Sequence, residues 1–506
     1  MQETLYNLVL GFSVALAPMN LLYCFIGVTL GTVVGVLPGL GSAATIALLL
    51  PLTYYLPPTS AIIMLAGIWY GSMYGGSTTS ILLRIPGEAA TVMTCIDGYE
   101  MAKQGRAGAA LGISAFGSFI AGSVGVVALM FLAPPLAEFA LEFGPPEYFA
   151  LAILGLSLVS SLWTKSVPKA LSMSLLGLFL GTIGLDPVRS AARFTYSSLT
   201  LLSGLDLVPM VMGLFGIAEV LRMIEKKVQA EEVAKAPKGL IALLPNRKDW
   251  RDSIGPIVRG TIVGFFVGIL PGGNATISSF ISYALEKRRS KQPEKFGKGA
   301  IEGVAGPESA NNSATAGGFV PLLTLGIPTN VVMALMFGAF LLHGVTPGPM
   351  LLKQRPEMFW GIIASMYIGN IMLLVLNLPL IGLFVKITTL PSSIMGPIIV
   401  LVCLVGAYGV NNNPMDILVM VIFGVVGYLM GKFGYEPAPL VLAFVLGPMI
   451  EISLRQSLIL SEGNFLIFFL RPIAGVLLGA AILMLLAPMI RKRTQGELGR
   501  TTAEEI

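Results

Sequence analysis

The sequence predicts an all-α polytopic membrane protein of about twelve transmembrane crossings, arranged as two repeats of inverted topology. Three observations support this fold class. First, 55% of the residues are hydrophobic, only 12% are charged and the mean hydropathy is +0.82, whereas soluble globular chains carry about 25% charged residues. Second, a motif that contains glycine and proline occurs twice. Third, most of the basic residues lie in two loops and the C-terminal tail, which predicts orientation in a membrane.

Apolar stretches follow one another almost throughout the chain, and about 20 residues are needed to span the hydrocarbon core. Spans or half-spans are predicted near residues 20–37, 42–56, 59–75, 107–133, 146–163, 167–185, 205–224, 257–271, 275–286, 314–325, 328–343, 358–386, 393–410, 415–433, 438–454 and 466–490. Several are too short to cross alone and are candidate re-entrant or broken helical hairpins, whose irregular backbone must be covered by protein or line a watery cavity. Residues 4–17 form either a short span or an interfacial helix.

The repeated motif reads GTVVGVLPG at residues 31–39 and GFFVGILPG at residues 264–272. A constant shift of 233 positions relates the glycines and prolines of the two copies, which are Gly31, Gly35, Pro38 and Gly39 in the first and Gly264, Gly268, Pro271 and Gly272 in the second. In each copy a Pro-Gly pair interrupts an apolar segment. Paired broken segments in the two halves of a membrane protein are the best sequence indication of a transporter's substrate site.

Further matches follow in the same order. The second match pairs Gly75-Gly76-Ser77 and Thr79 with Asn311-Asn312-Ser313 and Thr315, and then Ile85-Pro86 with Ile327-Pro328, with six extra residues in the second copy. Residues 177–187 also resemble 427–437, and residues 213–222 resemble 447–455. Gly-rich spans can look alike simply because small residues pack helices closely, but four matches in one order favour a repeat.

The repeats and the charges together predict the domain organisation. The chain divides into an N-terminal segment (1–19), repeat one (20–224), a cytoplasmic connector (225–256), repeat two with a final transmembrane helix (257–490) and a cytoplasmic tail (491–506). The connector, the loop EKRRSKQPEKFGK and the C-terminal RKR are strongly basic and are therefore expected on the cytoplasmic side. In repeat one, the loop TYYLPPTS occupies the position that corresponds to EKRRSKQPEKFGK, and it carries no charge. Equivalent loops on opposite sides indicate inverted topology, as in elevator-like transporters.

Two stretches in each repeat are polar where a membrane segment is expected to be apolar. They read PGLGSAAT (38–45) and YGSMYGGSTTS (70–80) in repeat one, and PGGNAT (271–276) and GPESANNSATAGG (306–318) in repeat two. Glycine permits a close approach of the backbone, and N–H groups at the start of a half-helix favour an anion. Hydroxyl and amide groups add hydrogen bonds, so these stretches predict a site for a small carboxylate and its coupling cation. The alternative is that the polar groups only satisfy one another between helices.

The predicted site residues follow from these stretches. The candidate substrate-binding residues are Gly39, Gly41, Ser42, Thr45, Ser77, Thr78, Gly272, Gly273, Asn274, Thr276, Asn312 and Ser313. The candidates for binding a coupling ion are Glu308, Asn311, Thr79 and Thr315. Glu308 could bind a cation or carry a proton; the alternative is a solvated loop residue that precedes the hairpin.

The remaining polar residues exclude several classes of function. A cytoplasmic amphipathic stretch is expected to contain Arg84, Glu88, Asp97, Glu100, Lys103 and Arg106. Asp186 and Glu436 precede prolines at matched turns, which favours a structural role. A single histidine, His343, and three cysteines are too few for a zinc site, a disulfide framework or a catalytic triad. No enzymatic activity, no nucleic-acid binding and no cofactor beyond Na⁺ as a coupling ion are expected. The N-terminus lacks the basic region of a signal peptide, so no cleavage is expected there.

Four blocks of the sequence carry a family resemblance. They are GTVVGVLPGLG (31–41), YGGSTTSILLRIPG (74–87) with DGYEMAKQGRAG (97–108), GILPGGNATISSFISYALEKR (268–288) and GAIEGVAGPESANNSATAGGFVPLLTLGIP (299–328). In these blocks the chain resembles the large membrane subunit of the bacterial tripartite tricarboxylate transporter family, and the likeness covers essentially the whole chain. The last block is the most specific because it is long and unusual in composition.

The resemblance implies partners, a substrate and an energy source. The partners would be a small membrane subunit of about four spans and a periplasmic solute-binding protein. The substrate would be citrate or a related di- or tricarboxylate, taken up across the bacterial inner membrane by a Na⁺ or H⁺ gradient. The sequence contains no P-loop motif, which agrees with a source of energy other than ATP. An anion channel or a membrane scaffold is the alternative, and an intramembrane enzyme is a weaker one, because neither a nucleophile with a base nor a metal pair is visible.

Overall fold

The computed structural model describes residues 2–37, 41–162, 166–225, 239–387 and 392–485. The described residues are mainly helical, as the composition predicts. The α-helices are α1 (Gln2–Ala15), α2 (Pro18–Val36), α3 (Ser42–Thr53), α4 (Pro58–Leu83), α5 (Val92–Lys103), α6 (Ala107–Ala140), α7 (Pro145–Leu162), α8 (Val167–Gly181), α9 (Leu207–Val211), α10 (Ala218–Glu225), α11 (Arg247–Ile269), α12 (Ala275–Arg289), α13 (Glu302–Leu325), α14 (Val331–Leu342), α15 (Pro349–Gln354), α16 (Pro356–Ile387), α17 (Ser392–Asn411), α18 (Pro414–Lys432), α19 (Pro437–Leu460), α20 (Ile467–Leu470) and α21 (Pro472–Leu485). A π-helical segment, Met212–Ile217, joins α9 to α10. One antiparallel pair of strands, β1 (Gly184–Leu185) and β2 (Ala192–Arg193), and three short 3₁₀ helices (Ala89–Thr91, Leu240–Leu243 and Pro293–Lys295) complete the regular structure of the described residues.

Seven of the described helical stretches are long and apolar enough to cross a bilayer. They are Pro18–Val36, Ala107–Ala140, Leu207–Glu225, Arg247–Ile269, Pro356–Phe384, Pro414–Lys432 and Pro437–Leu460. Several shorter apolar helices, among them α3, α8 and α14, have 10–17 residues and are too short to cross unaided. The chain is therefore a multi-pass membrane protein, while the count of about twelve crossings and the inverted relation of the halves stay predictions.

Each copy of the repeated motif begins inside a helix and runs past the end of that helix. In the first half, α2 ends at Val36 and α3 begins at Ser42, and Pro38 and Gly39 lie outside the described residues. In the second half, α11 ends at Ile269 and α12 begins at Ala275. Gly272 between them has φ +80°, a left-handed conformation that glycine adopts without strain.

The other two polar stretches lie inside continuous helices, where the sequence analysis expected helix boundaries. Residues 70–80 belong to α4, and residues 306–318 belong to α13. The expectation that helices end near residue 75 and begin near residue 314 is therefore wrong. Small polar residues remain helical here because α4 packs against α2 and α13 against α11, and such residues permit this close approach.

Glycines of α2 and α11 lie directly against the backbone of the partner helix. A Cβ atom on Gly31 would be 2.4 Å from the carbonyl oxygen of Ile68, and one on Gly264 would be 2.2 Å from the carbonyl oxygen of Ala310. Real Cβ atoms essentially never approach so closely. These two helix pairs therefore require glycine for their spacing.

Glycines of the partner helices make the reciprocal contact and correct one predicted pairing. A Cβ atom on Gly75 would be 2.1 Å from the carbonyl oxygen of Thr32, and one on Gly317 would be 2.4 Å from that of Phe265. Thr32 and Phe265 are 233 positions apart, as are the glycines of the motif. Gly75 therefore corresponds to Gly317.

The corrected pairing needs no insertion. Gly75 and Gly317 are 242 positions apart, which is also the separation of Ile85 and Ile327. Pairing Gly75-Gly76-Ser77 with Asn311-Asn312-Ser313 is therefore wrong by six residues. The predicted pairing matched residues by their polar composition. Pairing Gly75-Gly76 with Gly317-Gly318 instead matches the residues, Gly75 and Gly317, that make the equivalent contact with the neighbouring helix.

Two compact units make up the chain. The first contains residues 1–141 and 206–429, and the second contains residues 142–205 and 430–506. Each unit thus takes one stretch from each predicted half of the chain. In the first unit α6 packs against α13, and α16 packs against α1 and α4. In the second unit α19 packs against α7 and α8.

A charged turn in the second unit is organised by Asp186. Its carboxylate accepts hydrogen bonds from the backbone N–H groups of Val188 (2.8 Å) and Arg189 (2.9 Å) and from the Arg455 guanidinium (2.8 Å). The two N–H donors, that of Arg189 first, and the Arg455 guanidinium lower the pKa of Asp186 to about 2. A structural role for Asp186 agrees with these contacts.

Replacement of Gly264 by alanine should destabilise the protein by about 1–3 kcal/mol, because the new methyl group has no room beside the Ala310 carbonyl. The matched control is Gly409→Ala on α17, where nothing lies within 4 Å of an added Cβ. There the better helix propensity of alanine should leave stability unchanged or slightly raised. Thermal unfolding of both variants in detergent measures the difference, and equal effects would contradict the close-packing argument.

Stability should depend on Asp186 only where its carboxylate is ionised. The pKa of this carboxyl is lowered by folding, so its contribution is complete above about pH 4 and is lost as the pH falls towards about 2. Asp186→Asn should therefore be less stable than the wild type at pH 7, with a gap that narrows between about pH 4 and pH 2. Scanning fluorimetry across this range, with the exposed Glu142→Gln as control, tests the dependence. A gap of constant size would refute it.

Candidate functional site

Glu308 is the centre of a buried polar network in the first unit. It lies within α13, its side chain is 0% exposed, and it is therefore not the solvated loop residue of the alternative interpretation. Its carboxylate accepts hydrogen bonds from Ser77 (Oγ to Oε2, 2.5 Å), from the Thr94 hydroxyl and, more weakly, from Asn311 (Nδ2 to Oε2, 3.5 Å). Among the ion pairs of the described residues, none involves Glu308. These donors are all neutral, so the Glu308 carboxylate is buried without a positive charge among them.

Asn312 extends the network from α13 to α6. Its amide nitrogen donates a hydrogen bond to the Ser118 hydroxyl at 2.8 Å and another to the Asn311 side-chain oxygen at 2.6 Å. Its own Oδ1 atom is buried and has no hydrogen-bond partner among the described residues. The structure thus brings together four of the predicted site residues: Ser77, Glu308, Asn311 and Asn312.

The sequence analysis missed several members of this network. Thr94 donates a hydrogen bond to Glu308, and Ser118 accepts one from Asn312. Ser114 also forms a hydrogen bond with the Glu308 carboxylate. Single serines and threonines in apolar helices carry little signal, because most of them bond to the backbone of their own helix. Thr94 lies three residues before an acid that the sequence analysis assigned to an amphipathic surface, so nothing in the sequence marked Thr94 as a site residue.

That acid, Asp97, contradicts the predicted amphipathic stretch. It is 0% exposed, and its Oδ1 atom accepts hydrogen bonds from the backbone N–H groups of Gly297 (2.8 Å), Gly299 (2.9 Å) and Ala300 (2.8 Å). The Tyr283 hydroxyl donates to its Oδ2 atom at 2.9 Å. Four donors compensate the desolvation of the carboxylate, so Asp97 fastens α5 to the segment that leads into α13.

Glu88 is a second exception to the predicted amphipathic stretch. Its partly buried carboxylate accepts a hydrogen bond from the backbone N–H of Ser42 at the first residue of α3. The start of the half-helix that was predicted to bind an anion therefore already holds a carboxylate from the same chain. Lys103 and Glu100 do form an exposed ion pair at 3.0 Å, as expected of an amphipathic surface.

At the second helix break, the predicted residues form hydrogen bonds with or between backbone groups. Asn274 is the N-cap of α12 and accepts a hydrogen bond from the N–H of Ile277 at 2.7 Å. The N–H of Gly272 donates to the carbonyl oxygen of Thr329 at 2.7 Å, and that of Gly273 donates to Leu270 at 2.7 Å. Thr276 accepts a hydrogen bond from Ser279 through its carbonyl oxygen.

Other predicted side chains bond within or between helices. Thr45, Thr79 and Thr315 donate to the carbonyl oxygens of Gly41 (3.2 Å), Gly76 (3.1 Å) and Asn312 (2.6 Å). Ser313 donates to the carbonyl oxygen of Thr261 on α11 at 2.8 Å, and its hydroxyl is therefore used in a contact between helices. The contacts of these side chains agree with the alternative interpretation, in which the polar groups form hydrogen bonds within and between helices. Gly39 lies outside the described residues.

The described residues contain no group of three His, Cys, Asp or Glu side chains that could hold a metal ion. His343 is only partly buried and belongs to no such group. The site is therefore a network of neutral oxygen and amide groups around one carboxylate. In a membrane protein such a buried ionisable group is typical of an ion or substrate pathway, which favours the class of membrane transporters.

The comparison with known families is specific. The chain matches the family described as "Tripartite tricarboxylate transporter TctA family" over residues 21–442, and it belongs to this family. It is thus a subunit of a tricarboxylate transporter, and membership in a transporter family favours transport over catalysis. The resemblance found in the four sequence blocks is confirmed.

Two relatives from Agrobacterium vitis are similar over long stretches. "Uncharacterized 52.8 kDa protein in TAR-I ttuC' 3'region" is 50% identical over 496 residues, 97% of this chain and 98% of that protein. "Uncharacterized protein in TAR-II ttuC' 3'region" is 52% identical over 233 residues, 46% of this chain and 96% of that protein. No solved structure matches the chain.

Replacement of Asp97 by alanine should reduce stability by roughly 3 kcal/mol, because three buried N–H groups and the Tyr283 hydroxyl lose their acceptor. Asp97→Asn should cost less, since an amide oxygen can still accept. Glu100→Ala, on the exposed side of the same helix, should stay within about 0.5 kcal/mol of the wild type. Thermal unfolding of the three variants provides the measurement, and similar losses for Asp97→Ala and Glu100→Ala would be inconsistent with a fastening role.

Proposed function

We propose that the chain is the transport subunit of a secondary active transporter that takes up citrate or a related di- or tricarboxylate, coupled to Na⁺ or H⁺. The observation that carries this proposal is the fully buried Glu308, which neutral donors from α4, α5 and α13 surround. A carboxylate is expensive to bury in a membrane protein without a positive charge beside it. Binding of a cation or a proton neutralises it, and that is the property a coupling site needs.

The substrate site is proposed at the two helix breaks and the adjoining polar residues. The N-terminus of α3 is suited to an anion, because the backbone N–H of Ser42 already donates a hydrogen bond to the carboxylate of Glu88. A substrate carboxylate in that position would displace Glu88. Asn274 at the start of α12 offers its amide N–H groups to a substrate carboxylate, and Asn312 beside Glu308 offers its unpaired Oδ1 atom to a substrate hydroxyl group.

Electrostatics requires coupling to cations. Each negative charge that is carried inward against a 100 mV inside-negative potential costs about 2.3 kcal/mol. A trivalent citrate therefore costs about 7 kcal/mol before any concentration gradient is considered. Two or three Na⁺ or H⁺ ions that enter with the substrate remove most of that cost, and a site with few fixed charges suits joint entry of anion and cations.

The proposed assembly follows from the family. It contains a small four-helix membrane subunit and a periplasmic solute-binding protein, in the bacterial inner membrane, with the C-terminus of this chain in the cytoplasm. The binding protein delivers the substrate to the outer face. A rigid block that holds both helix breaks then moves against the remaining helices, as in an elevator; rocking of one half against the other is the alternative motion. An anion channel or scaffold without ion coupling is the second candidate function.

The test is uptake of labelled citrate into proteoliposomes that contain this chain and its small partner, with the binding protein outside. Uptake should require both an imposed Na⁺ or H⁺ gradient and the binding protein. Glu308→Gln should abolish the gradient-dependent part, because a neutral amide cannot exchange a cation or a proton in the same way. Asn312→Ala should reduce uptake as well.

The matched control is Glu302→Gln, a partly buried carboxylate at the start of the same helix. It should leave uptake close to that of the wild type. Flux that does not saturate and does not depend on a gradient would favour the channel. Normal gradient-dependent uptake by Glu308→Gln would remove Glu308 from the coupling mechanism.

A further inference from the structure

A small cavity lies beside the Glu308 network in the first unit. Its polar lining consists of Tyr74, Ser77 and Thr78 from α4, Ser114 from α6 and Asn377 from α16. Three apolar side chains complete the wall. The cavity has a volume of about 10 Å³, which is room for about one water molecule or an ion of similar size.

Two of the lining side chains have buried polar atoms without partners. Tyr74 is 3% exposed and Asn377 is 4% exposed. The Tyr74 hydroxyl oxygen and the Asn377 Oδ1 atom have no hydrogen-bond partner among the described residues. The Asn377 amide nitrogen donates to the carbonyl oxygen of Leu373 at 2.9 Å, which leaves its Oδ1 atom as an acceptor. Buried polar atoms without a partner cost free energy, so their position in one cavity indicates a ligand.

Ser77 joins this cavity to the carboxylate. Its hydroxyl donates to Glu308 at 2.5 Å, and its oxygen retains lone pairs that can accept from or coordinate a ligand. A cation on Ser77 would polarise the hydroxyl and strengthen its hydrogen bond to Glu308. The single negative charge of Glu308 would thus be balanced by a single positive charge in the cavity.

We propose that this cavity is a Na⁺ site, with oxygen ligands from Tyr74, Ser77, Thr78 and Asn377 and with Glu308 as the compensating charge. This inference rests on the proposed function and locates its coupling ion. Hydroxyl and amide oxygens are the ligands of hard cations. A divalent ion would leave one charge uncompensated in a buried site, and the small volume favours Na⁺ over a larger alkali ion.

The site adds residues that the sequence analysis did not assign. Tyr74 on α4 and Asn377 on α16 are proposed ligands, and Ser114 on α6 lines the same cavity. An ion bound between them would hold these helices together, so occupancy of the site should stabilise the folded protein by mass action. This effect gives a measurement that needs neither substrate nor partner.

The experiment is a Na⁺ titration of the purified full-length chain in detergent, with thermal unfolding as the readout and choline chloride to keep the ionic strength constant. Na⁺ should raise the unfolding temperature and saturate, whereas K⁺ should not. Asn377→Leu and Tyr74→Phe should each raise the half-saturating Na⁺ concentration at least about tenfold, because each removes one ligand. Tyr74→Phe removes a single oxygen, so it remains informative if Asn377→Leu fails to fold.

The matched control is Asn370→Leu. Asn370 lies seven residues earlier on α16 and is as buried as Asn377, at 4% each, but it does not line the cavity. This variant should keep the half-saturating Na⁺ concentration of the wild type. Equal stabilisation by K⁺, no stabilisation by Na⁺, or an unchanged half-saturating concentration in both cavity variants would each overturn the proposal.

These outcomes are separate from those of the uptake experiment. If Na⁺ binds as described but no gradient-dependent uptake is found in proteoliposomes, the site stands and the proposed transport fails. If uptake depends on Na⁺ and the cavity variants bind Na⁺ normally, transport stands and the assigned site fails.

Discussion

The arrangement of the first unit depends on how the Glu308 carboxylate is buried. A carboxylate that is 0% exposed and has no ion pair among the described residues requires several neutral donors. Ser77 supplies one from α4, and Thr94 supplies another from α5. The three helices that meet at Glu308 must therefore keep their relative positions to within hydrogen-bond distance. Asp97 contributes to this precision, since it lies one helical turn beyond Thr94 and binds the backbone that leads into α13.

Part of this fold could be predicted from the sequence, because some of its physical causes are local. Composition alone predicts helices in a membrane, and the Pro-Gly pair at Pro271-Gly272 predicts an interruption between two helices. The continuity of α4 and α13 could not be predicted in the same way. Runs of glycine, serine and asparagine usually indicate a break, and they remain helical here because the neighbouring backbone approaches at positions such as Gly31 and Gly264.

The sequence predicts the chemical character of the candidate site, but only some of the residues that form it. Glu308, Asn311 and Asn312 were identified because acid and amide residues are rare in membrane helices. Asp97 was misassigned because a charge near other charges normally indicates a solvated surface, and only tertiary structure shows that four donors surround it. Asn377 could not be found from the sequence, since its contribution depends on the packing of α16 beside α4.

The organisation into two units has a consequence for biosynthesis. The first unit is built from residues 1–141 and 206–429, and the second from 142–205 and 430–506. Neither unit can therefore complete its core while only the first half of the chain has left the ribosome. Ser77 and Thr94 are synthesised more than two hundred residues before their partner Glu308, so their hydroxyl groups can reach this carboxylate only after the second half of the chain has been made. The packing of α4 and α5 around Glu308 is therefore completed only after α13 has been synthesised.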